Sequence, residues 1–252
     1  MIRRLGIIGV GHLAGFIAEG LRNAGWDGAL IVPDRPSAAG FADRFGAEIA
    51  ATTQDVVGGA DALLVAVRPA QVEDALTDLD WPEGRLLISA MAGVKIARLA
   101  ALAPGARILR AMPISAATIG ASPTPVFPRD GEAEALLALI GAVIPMESEA
   151  MLEAASANAA AYGWHFRLID GLVKANLEAG LSDEAAKRMT METLVAAGRV
   201  ALNSEKSPED ILNALATPGG ITAQGLAILD EANAFPPWSD AFAAVAHRLK
   251  SD

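Results

Sequence analysis

The chain has 252 residues, of which 52% are hydrophobic, and this is enough apolar material to bury a sizeable core. It contains no cysteine, which excludes disulfides and thiolate metal sites, and its three histidines show no ligand spacing, so we expect no metal. The net charge of -10 argues against a nucleic-acid partner, because a duplex requires a basic surface that displaces counterions.

Two sequence patterns bear on where in the cell the protein is located. The longest uncharged stretch, residues 111–128, contains Pro113, Pro123 and Pro125 and therefore cannot form a continuous membrane-spanning helix. The N-terminal segment lacks the charged, apolar and small-residue blocks of a signal peptide. We therefore expect a cytoplasmic protein with no membrane partner.

The first predicted element is an apolar strand that leads into a glycine turn, Gly9-Val-Gly11-His-Leu-Ala14, and an amphipathic helix. Gly9 allows a sharp turn, Gly11 allows the backbone to approach a pyrophosphate, and Ala14 allows the helix to pack closely on the strand. Asp34 follows the second strand, at the distance where such folds contact the ribose. The pattern predicts a dinucleotide site, and the alternative is a structural turn in another α/β protein.

Up to about residue 145, β-type runs alternate with helical patterns, which predicts a doubly wound parallel sheet of the Rossmann type. A flavodoxin-like fold is the alternative, but the position of the glycine turn and the number of strands favour the Rossmann type. The predicted strands are residues 5–8, 29–32, 62–67, 85–90 and 107–111.

Beyond about residue 145 the β pattern stops, which predicts an all-helical C-terminal domain that follows the Rossmann domain. We place the dinucleotide-binding domain at residues 1–147 and a helical substrate and dimerisation domain at residues 148–252. Residues 150–181 are predicted to form one long helix, whose alanine-rich face packs against a second subunit or a neighbour in the same chain. Serines cap the two following helices, at Ser182 and Ser207.

A second glycine loop, Thr217-Pro-Gly219-Gly220-Ile-Thr222, precedes a helix predicted at residues 223–231. A carboxylate held there would accept several backbone N–H bonds at the positive end of a helix, and the Thr222 hydroxyl could donate to a neighbouring atom. The alternative is a connecting turn in which Thr222 is only the N-cap.

Six segments, in this order over nearly the whole chain, resemble pyrroline-5-carboxylate reductase. They are Gly9-Val-Gly11-His-Leu, Ala66-Val-Arg-Pro-Ala70, Ile88-Ser-Ala-Met-Ala-Gly93-Val, Arg110-Ala-Met-Pro113, Ala179-Gly-Leu181 and Thr217-Pro-Gly-Gly-Ile-Thr222. The resemblance implies hydride transfer from NADPH or NADH to the C=N bond of a cyclic imino acid, with proline as the family's product. It also implies a homodimer or higher homo-oligomer through the C-terminal helices, with the substrate between the cofactor cleft and a partner's helical domain.

The resemblance also implies the residues of the cofactor site. Gly9, Gly11 and Leu13 would hold the pyrophosphate, and His12 lies inside the same turn. The cleft would be lined further along the chain by Val67, Arg68, Pro69, Ala92, Gly93, Met112 and Pro113.

In the family the Gly-Gly-x-Thr loop binds the substrate carboxylate, so Gly219 and Gly220 take that role and Thr222 becomes the catalytic donor near the imine nitrogen. Ser156 and Asn158 belong to the substrate end. A protonated imine is already electrophilic, so such a site needs positioning and a weak donor rather than a strong acid or base.

Two segments depart from the family pattern. Met-Pro-Asn-Thr-Pro reads here as Met112-Pro113-Ile-Ser-Ala, which replaces a cofactor-facing amide by an aliphatic group. Ser-Gly-Ser-Gly-Pro-Ala-Tyr reads as Ser156-Ala-Asn158-Ala-Ala-Ala-Tyr, which adds methyl groups at the substrate end. These exchanges leave open a substrate other than pyrroline-5-carboxylate, or none.

The choice of nucleotide rests on two neighbouring charges. Asp34 would accept from a ribose 2′-hydroxyl and repel a 2′-phosphate, whereas Arg35 would bind that phosphate, and Ser37 could assist either. We expect NADP, with NAD as the alternative, because the family often has an arginine there. A turn whose charges only face water is a further alternative.

Two other functions stay open. A β-hydroxyacid-dehydrogenase-like oxidoreductase shares this layout, but its helix lysine and asparagine would have to be Lys174 and Asn176, which lie on nearly opposite sides of a helix. A non-catalytic NAD(P)-binding regulatory protein is the second alternative.

Overall fold

The structure is a computed structural model that describes residues 1–251, with side chains described to residue 249. Two compact units are distinguished. The first comprises Met1–Ala159 with the chain from Ala246 onward, and the second comprises Ala160–Val245.

One sheet forms the centre of the first unit. Its strands are β1 (Arg4–Ile8), β2 (Ala29–Pro33), β3 (Ala47–Ala50), β4 (Ala62–Val65), β5 (Leu86–Ser89), β6 (Arg107–Ala111), β7 (Thr124–Phe127) and β8 (Val143–Pro145). They lie in the order β3-β2-β1-β4-β5-β6-β7-β8. β1 to β6 are parallel, β7 is antiparallel to β6, and β8 is parallel to β7.

Seven helices belong to the first unit: α1 (His12–Asn23), α2 (Ala38–Phe45), α3 (Thr53–Gly59), α4 (Val72–Leu76), α5 (Ile96–Leu102), α6 (Gly131–Leu137) and α7 (Glu149–Ser156). Because successive strand residues point to opposite faces, the sheet supports two apolar clusters. Leu5 and Ile7 of β1 lie in one cluster with Ile17 and Leu21 of α1. Ile8 lies in the other with Val56 of α3.

The predicted fold class is confirmed, and strands form at all five predicted positions. The five predicted strands pair in parallel as expected, and the sheet departs from a parallel arrangement only where β7, which was not predicted, pairs antiparallel with β6. β3, β7 and β8 were not predicted, because each is only three or four residues long. β7 contains Pro125, a residue that cannot donate to a strand ladder, and β3 leaves Glu48 and Ile49 exposed at the sheet edge.

Helices α8 (Asn158–Glu178), α9 (Asp183–Leu202), α10 (Pro208–Leu215), α11 (Ile221–Glu231) and α12 (Pro236–Ser251) form the C-terminal part of the chain. Most of α8 and α12, with all of α9 to α11, make up the second unit. The predicted serine caps are confirmed: Ser182 accepts from the Ala185 amide at 3.3 Å, and Ser207 accepts from the Asp210 amide at 3.1 Å.

The single helix predicted at residues 150–181 is wrong, because the chain breaks at Ala157 into α7 and α8. The Ser156 hydroxyl donates to the Leu152 carbonyl oxygen at 2.7 Å, a contact that competes with the helix ladder. The Ala157 amide then bonds to Ala154, three residues back, at 3.3 Å, which tightens the last turn. At the other end, the amide of Gly180, with φ +97°, closes a Schellman turn on Leu177.

Within residues 1–251, no helix combines the length and apolar character needed to cross a bilayer. Nor does that part of the chain contain three or more carboxylate or histidine side chains grouped to hold a metal ion.

Candidate functional site

The candidate site lies where the strand order reverses. From β1 the chain continues to β2 and β3 on one side and then returns to β4 on the other, so the carboxyl ends of β1 and β4 flank a crevice, as in dinucleotide-binding sheets. A cavity of about 260 Å³ opens there. It is lined by Ile8, Gly9, Val10, Pro33, Arg35, Ser37, Thr53, Val67, Gln71, Asp74 and Ala75.

The tight turn after β1, at the edge of this crevice, requires a glycine at position 9. Its φ is +100°, a conformation that side chains rarely adopt, and a Cβ there would lie 2.7 Å from the backbone nitrogen of Val67. The Ala66 amide donates to the Ile8 carbonyl oxygen at 2.9 Å, which continues the pairing of β1 with β4. Gly9 therefore lies where the carboxyl ends of β1 and β4 approach each other closely.

Gly11 begins α1 and leaves that helix end open. As the N-cap it brings no side chain, the first turn contains no acidic residue, and a Cβ built on it meets no described atom within 4 Å. The amides of the first turn, at His12 and Leu13, precede the first intrahelical bond, from Gly15 to Gly11 at 3.0 Å. This arrangement can bind a phosphate group through backbone N–H donors and the helix dipole.

The two charges that follow β2 differ in their surroundings. The Asp34 amide donates to the Ala50 carbonyl oxygen at 2.8 Å, and its side chain is exposed. The Arg35 guanidinium lines the cavity, where it donates to the Asp34 carbonyl oxygen at 3.0 Å and to the Thr53 hydroxyl at 3.3 Å. A cation therefore lies on the cavity wall, where a ribose phosphate could reach it.

The other predicted cofactor residues follow the neighbouring strands at the same edge of the sheet. Val67, Arg68 and Pro69 follow β4, Ala92 and Gly93 follow β5, and Met112 and Pro113 follow β6. Gly93 has φ +76°, whereas Met112 and Pro113 are buried. The fold thus gathers all these residues at one edge because carboxyl ends of parallel strands coincide. Their contacts with a nucleotide stay a prediction.

Three polar residues that line the cavity were not predicted. Thr53 begins α3 next to the capping box formed by Thr52 and Asp55, which the sequence pattern could have revealed. Gln71 is the N-cap of α4 and Asp74 lies in its first turn, and the sequence carries no motif that marks them.

Ser156 and Asn158, predicted at the substrate end, both donate to backbone carbonyl oxygens of α7. The buried Ser156 hydroxyl donates to Leu152, and the Asn158 amide group donates to the Ala155 carbonyl oxygen at 2.9 Å. Their role toward a substrate stays a prediction.

In the second unit, the second glycine loop ends on an open helix N-terminus. Gly219 has φ +76°, and the Gly220 amide closes the turn on the Thr217 carbonyl oxygen at 2.9 Å. α11 begins at Ile221 with Gly220 as N-cap, so the alternative that Thr222 is the N-cap is wrong. Thr222 is exposed in the first turn of α11, beside backbone amides that could bind a carboxylate.

Lys174 and Asn176 have separate structural partners. The Lys174 ammonium donates to Asp170 at 2.8 Å, and this hydrogen bond holds the pKa of the Asp170 carboxyl below its ordinary value. The Asn176 side chain donates to the Thr190 hydroxyl at 3.2 Å on α9. This geometry gives no support to a lysine and asparagine pair acting on one substrate.

Comparison with known proteins identifies relatives of both parts of the chain. The family model described as "Pyrroline-5-carboxylate reductase dimerisation" matches residues 149–251. The model described as "NADP oxidoreductase coenzyme F420-dependent" matches residues 4–93.

Similar proteins cover nearly the whole chain. Pyrroline-5-carboxylate reductase of Pseudomonas aeruginosa is 28% identical over 234 residues, which span 87% of this chain and 85% of that protein. The enzyme of that name from Arabidopsis thaliana is 26% identical, over 98% of this chain and 94% of its own. The crystal structure of 1-pyrroline-5-carboxylate reductase from Streptococcus pyogenes superimposes with a TM-score of 0.87 at 26% identity, over 99% and 98% of the two chains.

Proposed function

We propose that this chain, which is similar to pyrroline-5-carboxylate reductases over nearly its whole length, reduces a cyclic imino acid with NADPH, converting pyrroline-5-carboxylate to proline. The observation that carries the proposal is the open start of α1 at Gly11, beside the cavity at the strand-order reversal. We assign cofactor binding to residues 1–147, and substrate binding and dimerisation to residues 148–252.

The residues around the cavity fit a dinucleotide. Because Gly11 has no side chain, the backbone amides at the start of α1 are accessible to a pyrophosphate. Arg35 on the cavity wall provides a positive charge for a ribose 2′-phosphate. The family model for residues 4–93 names NADP, in agreement with the arginine. Bound NADPH would supply the hydride.

The substrate residues that we propose lie in the glycine loop of the second unit. Amides at Gly219, Gly220 and the first turn of α11 would hold the carboxylate, and the exposed Thr222 hydroxyl would donate to the imine nitrogen. Ser156 and Asn158 complete the proposed substrate end. The chemistry requires orientation more than acid–base strength, because the protonated imine is already electrophilic.

We also propose that the active form is a homodimer or larger homo-oligomer in the cytoplasm. Its contacts would run through the C-terminal helices, where the matching family model describes dimerisation. Large apolar side chains on these helices are exposed in the single chain, including Phe166, Val195 and Leu215.

The proposal is tested by mixing purified protein with NADPH and pyrroline-5-carboxylate and following the loss of NADPH absorbance. Five- and six-membered cyclic imines without the carboxylate serve as controls, because the loop is expected to select for an acid group. NADPH binding without oxidation by any of these imines would favour the regulatory alternative. Oxidation of a β-hydroxyacid instead would favour the dehydrogenase alternative.

The role of Thr222 is tested separately. Thr222→Ala should lower kcat by roughly tenfold with unchanged NADPH affinity, because it removes a single hydrogen-bond donor. Thr222→Ser keeps the hydroxyl and should retain most of the activity. Equal kinetics for the alanine variant and the wild type would remove Thr222 from the proposed site.

A further inference from the structure

A buried arginine that the proposed chemistry does not use lies beside the candidate cofactor edge. Arg110, on β6, has a side chain that is 0% exposed. Its Nη1 donates to Glu149 at 2.8 Å and also to Glu153, and its Nη2 lies 3.5 Å from the Met91 carbonyl oxygen. A guanidinium removed from water in this way is retained only if partners compensate its desolvation, and here two carboxylates of α7 do so.

The same ion cluster holds both ends of a loop. Met91 immediately precedes residues 92–95, and Arg110 reaches its carbonyl oxygen. Ile96 immediately follows them, and its amide donates at 2.7 Å to the Glu149 oxygen that also binds Arg110. Lys95, the N-cap of α5, makes no capping bond within the described residues, so Glu149 supplies the missing acceptor from a distant part of the chain.

The segments held by this cluster carry predicted cofactor residues. Ala92 and Gly93 lie inside the loop, where Gly93 has φ +76°, and Met112 lies two residues after Arg110. We propose that Arg110 and Glu149 are positioning residues, which fix the 92–95 loop against the end of β6 in the geometry that accepts the nucleotide. This inference rests on the cofactor part of the proposed function.

Exposed ion pairs of the same unit provide a matched comparison. Arg129 makes two bonds to Glu134, at 3.1 and 2.8 Å, but its side chain is 70% exposed. An ion pair whose guanidinium lies in water contributes little, because water and salt screen the attraction. Arg129→Lys therefore tests the same chemical change as Arg110→Lys at a site that contacts neither the loop nor the cavity.

The experiment compares Glu149→Ala, Glu149→Gln, Arg110→Lys and Arg129→Lys. Amide hydrogen exchange of residues 92–96 is measured without nucleotide, and NADPH affinity is measured by fluorescence titration. We expect Glu149→Ala to speed exchange in this segment and weaken NADPH binding, each by roughly tenfold, because the Ile96 amide and Arg110 both lose an acceptor. Glu149→Gln keeps an acceptor oxygen and should restore most of both properties. Arg129→Lys should change neither.

Thermal unfolding separates positioning from general stability. A lower Tm for Glu149→Ala with unchanged exchange in residues 92–96 and unchanged NADPH affinity would overturn the inference, and Glu149 would then be only structural. Because Glu149 is partly exposed, with a side chain 28% accessible, this variant stays informative even if Arg110→Lys fails to fold. Wild-type protein that binds NADPH but reduces no imine would overturn the proposed reaction, and the exchange measurements would still decide this inference.

Discussion

The two units of the molecule differ in how they bury apolar residues. In the first unit both faces of the sheet carry clusters of fully buried side chains, among them Leu63, Leu87 and Leu109. Among the described residues of the second unit only Ala186 and Thr190 are buried, while Phe166, Val195 and other large apolar side chains are exposed.

This contrast shows that the two units are stabilised in different ways. The α/β unit completes its core with its own chain, as a sheet covered on both faces does. The helices of the second unit are alanine-rich and leave apolar surface that a monomer seldom exposes, so we expect their stability to depend on a second copy. Substitutions in the two units should therefore have different consequences.

The largest effect is expected from a charge placed on the helical surface. Val195→Glu, at a side chain 46% exposed in the single chain, should abolish the oligomer, because an unpaired charge in an interface costs on the order of 3–5 kcal/mol. Sedimentation velocity measures the species. Ile49→Glu, at an apolar residue of the α/β unit that is also 46% exposed, is the control and should leave the oligomer intact. Loss of the oligomer in both variants would contradict the contrast between the units.

A core substitution in the α/β unit should lower its stability to the same extent whether or not the chain is oligomeric. Leu87→Ala on β5, where the side chain is 0% exposed, should lower the free energy of unfolding by roughly 3 kcal/mol. The loss should be the same at all protein concentrations in chemical denaturation. Leu172→Ala, at a residue 40% exposed on α8, should instead reduce a stability that depends on protein concentration. A concentration-dependent loss for Leu87→Ala would show that the α/β unit also relies on a partner.

Cofactor binding should depend on the first unit alone. Gly11→Val places a branched side chain in open space at the start of α1, so the fold should persist while NADPH affinity falls by at least roughly tenfold. Gly131→Val introduces the same side chain at the start of α6, where a Cβ also meets no described atom within 4 Å, and should leave affinity unchanged. Calorimetric titration with NADPH measures both. Equal affinities would remove Gly11 from the proposed site.

The smallest effect concerns the acid stability of the α/β unit. One Asp61 carboxylate oxygen accepts from the amides of Arg3 and Arg4 at 2.8 and 2.9 Å, which ties the start of β1 to the segment before β4. The Arg3 amide, with smaller help from Arg4, holds the pKa of Asp61 below its ordinary value of 3.8.

A lowered pKa means that the stabilisation is complete above the ordinary value and disappears as the pH falls through the folded-state pKa. Asp61→Asn should therefore cost about 1 kcal/mol at neutral pH, a value discounted because Asp61 is exposed. The difference from wild type should vanish in strong acid. Urea denaturation at neutral pH and in strong acid measures the difference in the free energy of unfolding between the two proteins. An equal difference at the two pH values would show that the charge of Asp61 does not contribute to stability.

Much of the molecule was predictable because its signals are local. The strand at residues 5–8, the turn at Gly9 and Gly11, and the serine caps at Ser182 and Ser207 each depend on a few adjacent residues whose geometry is dictated by sterics or by one hydrogen bond. The break at Ala157 was missed because the alanine-rich composition favours an uninterrupted helix. The break depends instead on the hydrogen bond that the Ser156 hydroxyl donates to the Leu152 carbonyl oxygen.

Neighbouring residues were enough to predict the fold class and the order of the motifs, because strand alternation and glycine turns depend on short segments of the chain. Contacts between residues that are far apart in the sequence became visible only in the folded chain. The tertiary structure brought Glu149 to the Ile96 amide across 53 positions and to Arg110 across 39. Large apolar side chains of the second unit, such as Phe166 and Val195, are exposed. Burial and long-range pairing arise from packing in three dimensions, and no local pattern encodes them.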